Sequence, residues 1–355
     1  MVKNQDEKII IVGGGLSGLA LAYFLNQSQA QVTVLESSTR LGGRIETVKG
    51  KLKTPLELGA TWFSDNHSDL NSLLEELKIS KFPQSTKGRS LFQTSPQEPI
   101  QEFFAPQGAE ASYRITDGTQ ALIEALAESL TPDSIWLNTQ IIKVIESGKG
   151  ITLHSQKGET FHADKVVLCL PPQSAISQIA FSPNLPHQLS SLLSEVQTWM
   201  AGSIKFALEY AEPFWRKENF SGMLFSHSGI ISEMYDHCNA EKDKFGFTGF
   251  LNLQAARLTK NQRESAVISQ ITELLGKGAL SPSTYLDKIW SPGILSISNP
   301  SILHPHQNNG HSLLQESYFN GKLYFSGTEC SIKNPGYMEG AISSAKRVFK
   351  QLNGS

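Results

Sequence analysis

Apolar residues follow two different periods along this chain, and the changes of period mark its elements. Residues 8–12, KIIIV, form a short unbroken apolar run that predicts a buried strand, and residues 16–26 have helical periodicity. Residues 31–36 predict a second strand ending in an acid. Residues 68–79 predict a helix with Leu70, Leu73, Leu74 and Leu77 on one side, and a second helix with Leu122, Leu126 and Leu130 in register follows Asp117-Gly118. Strands are predicted at 141–145, 151–154 and 166–170, the last stopped by Pro171-Pro172. Residues 203–210 alternate like a half-buried strand, with Ile204, Phe206, Leu208 and Tyr210 on one face and Lys205, Ala207 and Glu209 on the other. A strand at 245–253, a helix at 259–275, a strand at 322–325 and a helix at 336–352 complete the reading. Residues 81–114 are rich in Gln, Ser and Pro and predict no element.

The turn between the first strand and helix holds Gly13, Gly15 and Gly18, a G-x-G-x-x-G spacing that also contains Ser17. In such a unit the first glycine allows the tight turn, the second lets backbone approach a pyrophosphate, and the third lets helix pack on strand. The helix N-terminus offers unpaired N–H groups and partial positive charge to the phosphates. Glu36 is placed to accept hydrogen bonds from a ribose diol, and its charge disfavours a 2′-phosphate. The motif alone leaves NAD and FAD open. Because sheet structure returns in mid-chain and again near the C-terminus, the expected topology is interleaved. Residues 1–67, 115–182 and 291–355 form a Rossmann-like α/β nucleotide-binding domain, and 68–114 and 183–290 form an α+β substrate domain.

Length permits one large domain or two medium ones. The 355 residues carry a net charge of −2 without a long basic run, so neither nucleic acid nor an anionic membrane is the expected partner. The chain lacks the roughly eighteen consecutive apolar residues of a membrane span, and no signal-peptide core precedes the first strand. Cys169, Cys238 and Cys330 have no metal-ligand spacing, so no metal is expected. They cannot all pair, which suits a reducing cytoplasm.

Five segments together resemble the flavin-containing amine oxidase family, which includes the monoamine and polyamine oxidases. They are VGGGLSGLA with Glu36, LGGR at 41–44, ELGATW at 57–62, SIKFALEYAEPFWRK at 203–217, and FSGTECSIKNPGYMEGAISSAKR at 325–347. The resemblance implies FAD and resolves the question that the glycine motif leaves open. Gly43 lets the chain double back so that the Arg44 guanidinium can neutralise the diphosphate. By resemblance, Gly59, Ala60, Thr61 and Trp62 run beside the flavin ring, and Val144 contacts adenine through its backbone. Gly327 and Glu329 lie in the turn that meets the ribityl and phosphate portion. Tyr337 and Met338 open the terminal helix, whose amides can face the flavin pyrimidine.

Flavin amine oxidation removes a hydride equivalent from the carbon next to a neutral nitrogen, and oxygen then reoxidises the flavin to give peroxide. The resemblance assigns three residues to this chemistry. Lys205 matches the family lysine that holds a water against the flavin. Tyr337 matches half of the aromatic cage of monoamine oxidases, and His67 matches a channel histidine of polyamine oxidases. The chain also departs from the family. The stretch 291–309, where the other half of the cage is expected, has no Phe, Tyr or Trp, and it has no cysteine, so the flavin is expected to be noncovalent. Only residues 68–113 are available for a substrate lobe. Two other readings remain open at this point. An amino-acid oxidase or desaturase can use the same scaffold, with Arg89, Arg114 and Arg257 as candidate carboxylate cations. A flavin-binding protein without turnover is the other.

Overall fold

The computed structural model describes residues 7–26, 30–106, 108, 110–290 and 304–354. Its first sheet has six strands in the order Ile135–Trp136, Gln31–Leu35, Lys8–Val12, Lys165–Leu168, Leu323–Phe325 and Ser317–Tyr318. All neighbours are parallel except the last pair. Parallel sheets are covered on both faces, which is why the opening strand reads as a continuous apolar run. Ile9 and Ile11 pack with the helices Leu16–Asn26 and Met338–Leu352 on one face, while Ile10 and Val12 pack on the other with the helix His187–Glu195. A four-stranded sheet containing Ile141–Ser147 joins that second layer.

The second large sheet has seven strands, ordered Thr284–Ile289, Ile204–Tyr210, Phe245–Leu251, Ile231–Asp236, Phe220–Ser226, Arg89–Gln93 and Gln101–Phe103. One face carries Phe206, Leu208, Leu224, Met234 and Phe247 against the helix Lys260–Leu275. Thr259 caps that helix in a capping box with Gln262. The segment 81–114, which predicts no element, supplies four short strands. Three of their pairings are with one another or with Phe63–Ser64, and one is remote: Arg89–Gln93 pairs in parallel with Phe220–Ser226.

Two expectations change. The strand Ile204–Tyr210 is not half-buried, since all seven residues are inaccessible, Lys205 and Glu209 included. It is flanked by strands on both sides, and its polar face is covered by the segment from Thr54 to Thr61, which meets Glu209 and Lys205 directly. The helix Ser68–Glu76, expected in the substrate domain, puts Leu70, Leu73 and Leu74 into the same cluster as the opening and terminal helices.

Candidate active site

The two glycine turns of the N-terminal region lie against each other. Gly42 N–H donates to the Gly14 carbonyl at 2.9 Å, and a Cβ on Gly43 would sit 3.3 Å from the Gly15 Cα. Gly13 has φ +113, and a Cβ on Gly18 would fall 2.0 Å from the Gly13 oxygen. Both positions therefore require glycine. Glu36, buried at the end of its strand, accepts from Gly14 N–H at 2.6 Å and from Ser38 N–H at 2.8 Å. Its carboxylate is thus fixed at the lip of the turn. Ser17 shares a hydrogen bond of 2.9 Å with Ser326, tying the first turn to the C-terminal strand.

Arg44 reaches the turn at Gly327 to Cys330. Its two terminal nitrogens donate to the two Glu329 oxygens at 2.6 and 3.0 Å, a bidentate pair in which Glu329 is fully buried and Arg44 is 38% exposed. The glycine region and the Gly-Thr-Glu turn therefore meet through one ion pair. Arg44→Ala leaves a buried carboxylate without its counterion, and such losses cost on the order of 3 kcal/mol. A fall of several degrees in melting temperature is expected for this variant. Thermal unfolding by circular dichroism checks it, and an unchanged Tm contradicts the coupling. Gly327 itself has φ +123.

Gly59 is required by its protein neighbours. The space its Cβ would need is filled by backbone of Arg44 to Glu46, with the Arg44 oxygen 2.3 Å away. Ala60 N–H donates to that oxygen at 3.0 Å. The glycine is thus required by the chain folding on itself. The Gly59 carbonyl in turn accepts from Lys205 Nζ at 2.6 Å, and Thr61 Oγ1 accepts a second hydrogen bond from the same ammonium. Lys205 Nζ also lies 4.9 Å from the Trp62 ring centre and 5.7 Å from that of Phe250. Burial lowers the Lys205 pKa to about 7, opposed by attraction to Glu57. Burial raises the Glu57 carboxyl, opposed first by Lys205.

Trp62 continues the wall: its ring is 4.9 Å from Tyr235, and its Nε1 donates to Gln84 at 2.9 Å. Gln84 and Tyr235 carried no sequence signal, because they come from the unassigned segment and from a strand that was not predicted.

Tyr337 belongs to a second aromatic group. Its ring, 42% exposed, lies 5.9 Å from His67 and 6.1 Å from His306, the latter at an interplanar angle of 24°. Trp199 stacks on His306 at 4.3 Å and 20°. A Cβ on Gly336 would meet Trp199 at 2.6 Å and His306 at 2.9 Å. Tyr337 thus stands in a group with two imidazoles and an indole. His306 lies within 291–309, where its ring is not one of Phe, Tyr or Trp, and Trp199 precedes Lys205 by one loop. Residues 291–303, which bear on the cage and covalent-link expectations, lie outside the described residues. Among the described residues Tyr337 makes no ring contact with Trp62 and none with Lys205, so the two groups are separate walls.

His67 is buried, and its Nδ1 has no partner among the described residues. Burial lowers its pKa, opposed by Glu339. Glu339, buried in the terminal helix, accepts from Asp69 N–H at 3.1 Å and Leu70 N–H at 2.8 Å. It thereby holds the start of the helix that follows His67. Met338 is buried, and Tyr337 sits at the N-cap position of the helix it opens without a side-chain hydrogen bond to it. Val144 is fully buried in the apolar cluster that also contains Val12 and Leu35, at the carboxyl ends of the two glycine-turn strands.

The candidate carboxylate cations are not at these walls. Arg89 pairs with Glu102 and Arg257 is exposed. Arg114 is buried and donates to the Cys238 carbonyl and toward His237 Nδ1. Burial lowers its pKa to about 10.

The residues fit an FAD. The glycine turns form a backbone cradle that any Cβ would fill, with Glu36 at its lip. Among the described residues, no hydrogen-bond acceptor meets the first-turn amides of the terminal helix at Met338, Glu339 and Gly340.

Comparison with known proteins agrees. The profile of the flavin containing amine oxidoreductase family matches residues 97–352, and that of an NAD(P)-binding Rossmann-like domain matches 11–77. A probable flavin-containing monoamine oxidase A of Dictyostelium discoideum is 25% identical, with 97% of each chain covered. The flavin-containing amine oxidase B of Sus scrofa is 22% identical over 97% of this chain and 85% of its own length. Putrescine oxidase solved with putrescine superposes with a TM-score of 0.83 at 20% identity, covering 99% of both chains. Cyclohexylamine oxidase from Brevibacterium oxydans IH-35A also gives 0.83, at 19% identity over 98% of this chain and 100% of its own. The family match over residues 97–352 and the Rossmann-like N-terminal unit place this chain in the flavin-containing amine oxidase family, as an FAD-dependent oxidoreductase acting on amines.

Proposed function

We propose that the protein oxidises a neutral amine seated between the Lys205–Trp62 wall and the Tyr337–His67 wall, with oxygen as electron acceptor. The observation that supports this most is Lys205: a buried lysine, held by the Gly59 carbonyl and Thr61 hydroxyl beside two aromatic rings. A purely structural lysine has little reason to be buried without an ion-pair partner in contact, because desolvating an ammonium is costly.

The flavin, when bound, supplies the two-electron acceptor. The protein's part is binding, orientation and charge. The aromatic walls disfavour an ammonium, so the substrate nitrogen enters the reaction with its lone pair available. The amine loses a hydride and a proton to become an imine, and water adds to the imine to release ammonia and a carbonyl product. Oxygen takes up two electrons and two protons and leaves as hydrogen peroxide. Lys205, poised to lose its proton near neutral pH, is placed to hold a water and to exchange a proton with it. The amides at the start of the terminal helix would favour negative charge on a flavin held against them. His67 and Tyr337 shape the opposite side.

The flavin is proposed to be noncovalent, since Cys330 is fully buried and burial raises its thiol pKa. The three unpaired cysteines support a cytoplasmic location. Among the described residues, no helix is long and apolar enough to cross a membrane. The experiment is an aerobic assay of the yellow protein with primary and secondary amines. Peroxide and carbonyl product in equal amounts are expected. Carbonyl product without peroxide removes oxygen as acceptor.

A further inference from the structure

Behind the wall formed by Lys205 and Trp62 lies a second group of buried polar side chains. Glu57 is two residues from Gly59, whose carbonyl holds the Lys205 ammonium. The Thr248 hydroxyl lies 3.0 Å from the Glu57 carbonyl and 3.1 Å from that of Phe206, which seats Glu57 against the strand that carries Lys205. The Glu57 carboxylate is buried, and only one of its oxygens is engaged. Oε1 accepts from the Thr119 N–H and from the Thr47 hydroxyl, the latter at 3.0 Å, while Oε2 has no partner among the described residues.

Glu57 lines a small cavity with Arg114, His237, Asn239 and the exposed Asp117, and the space suits about one water. Arg114 brings a second unpartnered buried atom, its Nε. Buried polar atoms seldom stay unpaired, and a donor and an acceptor on one cavity are what a bridging water needs. His237 adds no charge. Its Nδ1 faces the Arg114 guanidinium at 2.9 Å, so Nε2 carries the proton toward the Pro55 carbonyl at 3.1 Å. Burial, reinforced by Arg114, holds the His237 pKa well below the usual histidine range.

The other charged groups nearby are engaged elsewhere. Lys288, opposite Lys205 in register, pairs with Glu46, and Asp236 pairs with Arg216. Glu233 accepts from the Tyr235 hydroxyl. Burial pushes the Cys238 thiol up to about 12, so it stays neutral. Glu57 and Arg114 are left to act on Lys205, the acid favouring its ammonium and the guanidinium opposing it.

We propose that Glu57 is a positioning residue of the oxygen reaction: from behind the wall, its carboxylate fixes how firmly Lys205 holds its proton. Glu57 acts through Lys205, whose own hydrogen bonds go to Gly59 and Thr61. The inference rests on the reading of Lys205 in the amine-oxidation cleft.

The test follows the reoxidation of photochemically reduced protein by oxygen as a function of pH, a measurement that needs no amine. The wild-type rate should inflect near pH 7, and Lys205→Met should show no such inflection. Glu57→Gln keeps the shape of the side chain and its acceptor oxygen but not its charge. Its inflection should move down by about one pH unit, because an ammonium without its counter-charge gives up the proton more readily. Glu57→Asp keeps the charge and should return the inflection toward the wild-type position. A Glu57→Gln profile with the wild-type inflection overturns the proposal, even if rate or stability falls at every pH, since a merely structural carboxylate would do that. If Glu57→Gln does not fold, the reciprocal effect is read by infrared spectroscopy. Without the ammonium, the protonated-carboxyl band of Glu57 should persist to higher pH in Lys205→Met than in the wild type. A band that titrates at the same pH in both proteins also overturns the proposal. An inflection that persists in Lys205→Met removes Lys205 from the oxygen reaction and the proposal with it; an infrared shift in that case shows that the two groups are coupled without serving catalysis.

Discussion

Gly18→Ala is expected to yield protein that purifies without flavin or does not fold. The methyl group would sit 2.0 Å from the Gly13 oxygen, well inside contact distance, and the opposing atom is backbone of a turn already held at φ +113. The helix must move off the strand or the turn must open, and either change displaces the cradle formed by Gly13, Gly15 and Gly43. Overpacking of this kind costs ~3 kcal/mol or more. The absorbance of the purified variant measures the outcome. A yellow variant with wild-type flavin content would show that the turn tolerates the shift and that the close packing has been overvalued.

Lys205→Met is expected to bind flavin normally yet to reoxidise with oxygen about a hundredfold more slowly, the usual effect of losing one preorganised polar group in a buried site. Stopped-flow mixing of reduced protein with oxygen measures this step separately from amine oxidation. The same variant carries a signature in stability. Burial lowers the Lys205 pKa from 10.5 to about 7, so between those values the unfolded chain holds a proton that the folded chain has released. Stability of the wild type therefore rises with pH across that window, and the contribution is lost as pH falls toward the folded value. Methionine has no such dependence. The difference in urea midpoint between wild type and variant should shift in favour of the wild type from pH 7 upward. A constant difference would place Lys205 in solvent contact.

Much of the cofactor side was legible in the sequence because it is local. The strand Lys8–Val12, the helix Leu16–Asn26 and the acid at Glu36 form one contiguous unit, and its helix and strand limits match the pattern almost residue for residue. The substrate side is built from long-range pairings. The strand Arg89–Gln93 is five residues of a Gln-, Ser- and Pro-rich stretch, and it is held in the sheet by a parallel partner more than a hundred positions away as well as by the short strand Gln101–Phe103. Alternation in Ile204–Tyr210 suggested a wet face, and only the tertiary arrangement reveals that the chain from Thr54 to Thr61 covers it. The rings that stand with Tyr337 carry no sequence signal for a chemical reason. His306 is aromatic and planar but is usually read as a titratable group, and its stacking on Trp199 is a contact across more than a hundred residues.

The account stands most directly on one experiment, anaerobic mixing of the purified yellow protein with a panel of amines that includes putrescine and butylamine. Loss of the flavin absorbance, with imine-derived carbonyl product equal to the flavin reduced, is the predicted result. Full retention of the yellow colour with every amine, while dithionite bleaches it, would contradict amine oxidation by this chain.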